Sequence, residues 1–196
     1  MKKRARGAAG SPRSGPRTSR VGSWAVALPT IALLLAIPSG SRASVGEDEV
    51  KAAFLLNFTR YVDWPASTFA DARAPFMICV LNDPEFASTA SKVIGDRTVE
   101  ERPISVSARE SLESARDCHV LYLPASQQDQ QETVISEIAD VSILTVSDSE
   151  GFAVMGGIAN FRRAGSKLRL EINREAAARA RLKVSARLLR IADVVG

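Results

Sequence analysis

Apolar positions repeat with different periods along the chain, and each period predicts a type of element. Residues 48–65 place large apolar side chains at helical spacing, with Asp48 as a candidate N-cap and Pro65 at the end. Short apolar runs predict strands instead, at residues 76–81, 102–107, 118–123 and 141–147. The run at 118–123 is nearly continuous in apolar character, which is typical of a strand covered on both faces.

Amphipathic or polar stretches separate these strands. Asp83-Pro84 provides an N-cap and a proline at the first helical position, which predicts a helix there. A short polar helix is predicted at 109–115 and a longer one at 126–139, with Val134, Ile135 and Ile138 facing inward. Because strand and helix alternate, the sequence predicts an α/β layered sandwich with a mixed, parallel-centred sheet flanked by helices.

The pattern changes after Gly156-Gly157. Residues 158–163 and 167–173 flank a short turn sequence, which predicts a C-terminal antiparallel β-hairpin. A helix rich in Ala and Arg follows at 174–181, and an amphipathic segment at 184–195 ends the chain.

The first 43 residues differ from the rest of the chain. Residues 1–20 carry seven basic side chains and no acid, and an apolar run covers 21–37. With small residues before a cleavage point after Ala43, this is the pattern of a secretory signal peptide. A retained membrane anchor is the alternative, although the run is short and contains a proline. An organelle transit peptide would share the basic start but not the apolar block. We therefore expect a cleaved signal peptide at 1–43 and a single domain at 44–196, located in the periplasm.

Removing the predicted leader reverses the sign of the net charge. The whole chain carries 26 basic and 22 acidic residues, a net charge of +4, and eight of the basic residues lie in the leader. The remaining chain is therefore acidic at −4, so the high pI gives no support for nucleic-acid binding. Residues 162–190 still hold ten basic and two acidic residues, which fits either a partner surface or a solvated helix face.

Cys118 and His119 stand side by side, which raises the question of thiol chemistry. An exported protein meets an oxidising compartment, where a disulfide is the usual state of a cysteine pair. Cys79 and Cys118 lie in two predicted strands that could be neighbours, so their Cα atoms could meet the required separation. Side chains alternate along a strand, so His119 would face away from Cys118. A catalytic thiol remains the alternative.

Other site chemistry finds little support in the sequence. One histidine and two cysteines are too few for a typical zinc site, and the glycines near residue 156 precede a hairpin rather than a helix. We predict no catalytic residue, no metal site and no cofactor. Three predicted strands end in short polar residues, at 82–83, 125–126 and 147–148, which indicates either helix caps or a small-ligand site at the carboxyl edge of the sheet.

Four stretches taken together resemble the YfiR family of periplasmic regulators. They read KAAFLLNFTRYVDWP, CHVLYL, ILTVSDSEGFAVMGGIANF and KLRLEINREAAARARLKVSARLLRIA, and the resemblance covers residues 48–195. It implies a non-enzymatic repressor that binds the periplasmic sensor domain of an inner-membrane diguanylate cyclase. Inhibition of that cyclase would lower cyclic-di-GMP and biofilm formation. The family is often dimeric.

The resemblance also implies particular residues. A disulfide matching Cys79–Cys118 supports the fold in such proteins, whereas a second cysteine pair of some relatives falls here on Ala153 and Asn160, which carry no thiol. The implied partner surface lies on and after the C-terminal hairpin. Its candidate residues are Asn160, Phe161, Glu171, Asn173 and Lys183.

Three hypotheses follow. The first is a periplasmic partner that inhibits a membrane signalling protein, a diguanylate cyclase above all. The second is a periplasmic small-ligand-binding module that feeds a membrane sensor. The third, a thiol enzyme, has the least support because the sequence contains no C-x-x-C motif.

Overall fold

Helices and strands alternate through residues 45–165 and 167–196, the part of the chain that the computed structural model describes. The helices are α1 Val45–Tyr61, α2 Pro84–Ile94, α3 Gln128–Ile138, α4 Arg174–Arg179 and α5 Ala186–Leu189. The strands are β1 Val62–Asp63, β2 Phe76–Leu81, β3 Thr98–Val99, β4 Arg102–Arg109, β5 Val120–Leu123, β6 Leu144–Ser147, β7 Ala159–Ala164, β8 Lys167–Asn173, β9 Lys183–Val184 and β10 Asp193–Val195.

Eight of the strands form one mixed sheet in the order β10-β8-β7-β6-β5-β2-β4-β3. The centre from β4 to β7 is parallel, and the β7–β8 hairpin and the β3–β4 pair are antiparallel. Strands β1 and β9 form a separate antiparallel ribbon. The predicted fold class, a parallel-centred α/β sandwich with a C-terminal hairpin, is confirmed.

Side chains of the central strands alternate between two buried clusters, one on each face of the sheet. Ile78 and Val80 face a cluster that includes residues of α1, α2 and α4. Cys79 and Leu81 face the other cluster, with residues of α3 and the 149–157 turn. The near-continuous apolar sequence of the central strands follows from this double cover.

The second cluster requires one glycine. Gly157 lies so close to the ring of Phe152 that a Cβ atom at this position would overlap it. The turn before β7 can therefore pack onto the sheet only if this position has no side chain.

The structure corrects two local predictions. Residues 109–115 form no helix beyond a single 3₁₀ turn, Glu113–Ala115, and β4 continues to Arg109. Ser114 Oγ donates to the carbonyl of Ser111 at 2.8 Å, a local hydrogen bond that competes with helix formation. The first helix ends at Tyr61 rather than near Pro65, because Val62 and Asp63 pair with β9.

The C-terminal segment contains an edge strand that periodicity did not predict. Residues 184–195 divide into the end of β9, helix α5 and strand β10, which pairs parallel with β8. The predicted leader at 1–43 lies outside the described residues. No helix in the described part of the chain is long and apolar enough to cross a membrane.

Candidate partner-binding surface

The β7–β8 hairpin projects beyond the sheet. Strand β7 pairs with β6 only at Ala159 and Asn160, whereas it pairs with β8 along its whole length, Ala159 to Ala164. The outer half of the hairpin is therefore a two-stranded arm. We call residues 161–164 and 167–170 the arm.

A polar row crosses the sheet at the base of the arm. Glu171 lies between Asn160 and Asp193 in neighbouring strands. Its carboxylate accepts hydrogen bonds from Asn160 Nδ2 at 3.1 Å and from Arg162 Nε at 2.7 Å. Arg162 also reaches Asp193 Oδ2 at 3.1 Å. The hydrogen bond and the charge of Glu171 raise the pKa of the Arg162 guanidinium, so the row holds a fixed arrangement of charges.

Two of the predicted partner-binding residues, Asn160 and Phe161, lie inside the fold. Asn160 is fully buried, and its Oδ1 has no hydrogen-bond partner among the described residues. Phe161 points to the opposite face, where its ring packs on Phe54 and Phe58 of α1 at centroid distances of 5.6 and 6.3 Å. Both side chains are buried, so they can position the arm but are not exposed to a partner.

Asn173 has a similar internal role. Its Oδ1 accepts from the backbone N–H of Ala176 and so caps α4, and its Nδ2 donates to the carbonyl of Ala153, each at 2.8 Å. This side chain ties the turn before β7 to the end of the hairpin. The turn at Ala153, which carries no thiol in this chain, is thus held by a hydrogen bond.

Lys183 lies apart from the row. It is exposed on the β1–β9 ribbon, where it pairs in register with Asp63. With Trp64 and Arg181 it lines a cleft of about 270 Å³. The structure therefore brings Asn160, Glu171 and their neighbours together on the sheet and places Lys183 on a separate ribbon.

The two cysteines form a disulfide that links β2 to the residues just before β5, its parallel neighbour. Their Cα atoms are 5.9 Å apart, and both side chains are buried in the cluster on the α3 side of the sheet. His119 faces the other way, with its ring stacked on Phe69 at 4.4 Å and Phe76 at 4.8 Å. The thiols and the imidazole therefore do not meet, which removes the structural basis for a thiol enzyme at this position.

The ring of His119 is held in one neutral form. Its Nδ1 accepts a hydrogen bond from the backbone N–H of Met77 at 3.0 Å, so the proton of the neutral ring is on Nε2. Burial lowers the pKa of His119 below its ordinary value of 6.5. The carbonyl of Thr68 and the charge of Asp117 oppose this effect, and the nearby Arg102 adds to it.

We expect the stability of the protein to fall as the pH drops below 6.5, because the unfolded chain then binds a proton that folded His119 does not. The loss continues until the pH reaches the lower pKa of the folded state. Urea unfolding at intervals from pH 7.5 to about 4.5 will measure it. In the His119→Gln variant the free energy of unfolding should depend less steeply on pH, because the contribution of the histidine is absent. An equal slope in both proteins would contradict the assignment, and the single histidine gives a direct NMR titration as a second readout.

An ion cluster closes the carboxyl edge of the sheet. Lys51 on α1 is only 6 % exposed and lies 2.7 Å from Asp148, 3.2 Å from Glu47 and 3.8 Å from Asp48. Burial alone would lower the pKa of Lys51, but the hydrogen bonds and charges of Asp148 and Glu47 outweigh it and raise the pKa. Asp148 also accepts from the backbone N–H of Ala125 at 2.8 Å.

The sequence analysis left two roles open for the polar residues at the strand ends, namely helix caps or a small-ligand site. The predicted cap at Asp83 is present, with its carboxylate accepting from the N–H of Phe86 at 2.9 Å. Asp148 instead joins α1 to two strand ends, a role that the sequence analysis missed. One signal was available, because Lys51 falls on the same helical stripe as buried Leu55 and Phe58. A lysine on a buried stripe indicates a buried ion pair.

The comparisons with known proteins agree with this architecture. The model of the YfiR/HmsC-like family matches residues 48–193, which include the disulfide, the hairpin and the ion cluster except Glu47. No curated protein matches the chain. Because the family match covers most of the sequence, the chain belongs to the YfiR/HmsC-like family.

Proposed function

We propose that the protein is a periplasmic repressor that binds the sensor domain of an inner-membrane diguanylate cyclase and holds the cyclase inactive. Release of the cyclase would raise cyclic-di-GMP and promote biofilm formation. The family match carries this proposal, since the YfiR/HmsC-like family consists of non-enzymatic periplasmic regulators that act with a membrane signalling protein. The exported leader predicted from the sequence supports it independently.

A repressor of this kind acts by binding one conformation of its target more tightly than another. Such binding favours a rigid surface, because a preorganised surface loses little conformational entropy on association. The arm is supported in that way. Phe161 packs on α1. Asn160 and Arg162 hold the side chain of Glu171 by hydrogen bonds, and Asp193 in turn holds Arg162.

We propose direct contacts for Glu171 and Lys183 and a positioning role for Asn160, Phe161 and Asn173. This division follows from burial. Lys183 is exposed and the Glu171 side chain is 13 % exposed, whereas the other three are covered. Arg162 and Asp193, which share the surface with Glu171, extend the proposed contact set.

The first test is affinity capture of the protein, as processed by its host, from detergent-solubilised membranes of its own source, followed by mass spectrometry. We expect a membrane diguanylate cyclase. Lys183→Glu and Glu171→Gln should each reduce its recovery by about tenfold, because each alters a contact at the interface. Lys92→Glu and Glu175→Gln are matched controls, since both residues are exposed and lie outside the arm and the ribbon. They should leave the recovery unchanged.

Two outcomes would count against the proposal. The first is that a folded, disulfide-bonded preparation captures no signalling protein. The second is that deletion of the gene leaves cellular cyclic-di-GMP unchanged. Light scattering on the same preparation will show whether the protein is a homodimer, as the family resemblance suggests.

One observation favours the small-ligand module as a second candidate. A cleft of about 590 Å³ lies at the carboxyl edge of the sheet. Its lining includes Glu47, Lys51 and Asp148 of the ion cluster and Phe161, Arg162 and Leu168. Clefts of this size and position are common ligand sites in α/β sheets. A screen of small periplasmic metabolites by thermal shift will test it, and only stabilisation that is lost on substitution of Arg162 would place a ligand there.

A further inference from the structure

The outer edge of β8 is only half covered. Strand β10 pairs with β8 at Glu171, Ile172 and Asn173, and it ends there. Along residues 167–170 no strand of the described chain lies on the side of β8 away from β7. An exposed strand edge offers backbone donors and acceptors to an added strand. We call residues 167–170 the open edge.

The open edge carries unbalanced positive charge on one face. Arg162 and Arg169 lie directly opposite each other across the hairpin, and Lys167 follows on the same face. Arg162 is neutralised by Glu171 and Asp193. Within the described chain no carboxylate lies at ion-pair distance from Lys167 or Arg169, and both are exposed. Like charges placed opposite each other are destabilising, so this arrangement does not serve the stability of the hairpin.

The other face of the open edge is more apolar. Leu168 lines a groove of about 400 Å³ together with Val50 of α1, which is 44 % exposed. Two charged residues, Glu47 and Arg163, also line this groove, but they pair with each other. A chain that added to the open edge would therefore meet cations that are unpaired in the described chain on one face and a groove with exposed apolar side chains on the other.

We infer that the open edge of β8 binds an extended segment of the protein partner, in which acidic and apolar residues alternate. The segment adds as a further strand beside β8. Its carboxylates pair with Lys167 and Arg169, and its apolar side chains enter the groove beside Leu168 and Val50. Side chains of a strand point alternately to the two faces, so the two faces of the edge specify the alternating pattern. This inference rests on the proposed function, because it describes the chemistry of that partner.

Basic residues on an edge strand can also serve only to prevent aggregation. Protection against aggregation and recognition of an acidic segment differ in the sign of charge that they require at the open edge. Protection of the edge works with charges of either sign, whereas recognition of an acidic segment requires positive charge. Reversal of the charge at the open edge therefore separates them.

The test uses the purified, host-processed protein and a synthetic decapeptide in which glutamate and valine alternate, with a lysine–valine decapeptide as its counterpart. We expect the glutamate peptide to shift the NMR signals of the amides at 167–170 and to slow their hydrogen exchange, as strand addition requires. Its affinity should fall as salt is added. The Lys167→Glu/Arg169→Glu variant should lose about tenfold in affinity.

The matched control is Lys92→Glu/Arg174→Glu. It exchanges one exposed lysine and one exposed arginine on α2 and α4, so its net charge changes by the same amount. Its affinity for the glutamate peptide should stay within about twofold of the starting protein. Equal losses in both variants, or shifts spread over all basic surfaces, would show general charge attraction and overturn the inference. Binding to phosphatidylglycerol vesicles without binding of the peptide would also overturn it, in favour of a lipid surface.

The failure of this inference can be told apart from the failure of the proposed function. If the cyclase is captured equally well by Lys167→Glu/Arg169→Glu, the repressor proposal stands and the open edge is not its docking site. If the peptide binds the open edge but no membrane cyclase is captured, the edge site stands and the partner belongs to another class.

Discussion

Replacement of both cysteines by alanine, Cys79→Ala/Cys118→Ala, should lower the free energy of unfolding by about 4 kcal/mol. The disulfide closes a long loop, with a separation of 39 residues between its ends. Without the disulfide the unfolded chain has more conformational entropy, which destabilises the fold. This destabilisation is larger for a longer loop. The bond also ties β2 to the residues just before β5 at the centre of the sheet, so it limits local unfolding there while it is intact.

Urea unfolding of the oxidised protein and of the double variant will measure the difference. A reductant should destabilise the original protein by a similar amount and leave the variant unaffected, which separates the effect of the bond from that of the alanine side chains. A difference of less than about 1 kcal/mol would show that the unfolded chain is constrained in some other way. Since the sheet carries the proposed partner surface, cyclase binding should fall with the fraction of folded protein.

Local patterns were sufficient to predict most of the architecture. The apolar runs in the centre of the sheet and the turn between β7 and β8 carry information within a few residues. The structure confirms both, with the helix cap at Asp83. The strands, the turn and the helix cap depend on local spacing and composition. The disulfide could be expected from the oxidising compartment, but it also required the strands of Cys79 and Cys118 to be neighbours, which the sequence left open.

Apolar periodicity missed two features, one that depends on a distant strand and one that depends on local side-chain hydrogen bonds. Strand β10 has only three residues, and it exists because β8 offers it an edge. Residues 109–115 look polar and helical, but the serine side chains satisfy the backbone locally instead. The spacing of apolar residues reports neither the pairing of distant strands nor hydrogen bonds from side chains to the backbone.

The candidate site shows the same division. The resemblance placed the partner surface on the hairpin, but it could not tell which residues of the hairpin face solvent. Asn160 and Asn173 are polar, and a sequence alone suggests that they are exposed. In the structure, Asn160 is buried and donates to the carboxylate of Glu171, whereas buried Asn173 bonds the backbone of Ala153 and Ala176. We therefore expect Asn160 and Asn173 to affect partner binding only through the position of the hairpin.

The ion cluster at Lys51 leads to the second large effect. Lys51→Met keeps the length of the side chain but removes its charge, and we expect it to lower the free energy of unfolding by about 3 kcal/mol. Without the ammonium group, Asp148 loses the cation that lies 2.7 Å from it, and Glu47 keeps only its ion pair with Arg163. Burial of charge without a partner is what makes such a loss large.

Lys92→Met is the matched control, because Lys92 is an exposed lysine on α2 with no ion pair among the described residues. It should change the stability by less than about 0.5 kcal/mol. A double-mutant cycle with Asp148→Asn should give a coupling energy above about 1 kcal/mol between Lys51 and Asp148. Additive effects would mean that the two side chains do not stabilise each other.

The consequence for function follows from what the cluster connects. Lys51 binds Asp148 at the end of β6, and its neighbour Glu47 pairs with Arg163 of the arm. The start of α1 is thus bonded both to the sheet edge and to the arm that carries the proposed docking surface. If this connection positions the arm, Lys51→Met should weaken capture of the cyclase even at temperatures where the variant is fully folded. Unchanged capture by the folded variant would restrict the cluster to a role in stability, since the arm would then hold its position through Phe161 and α1 alone.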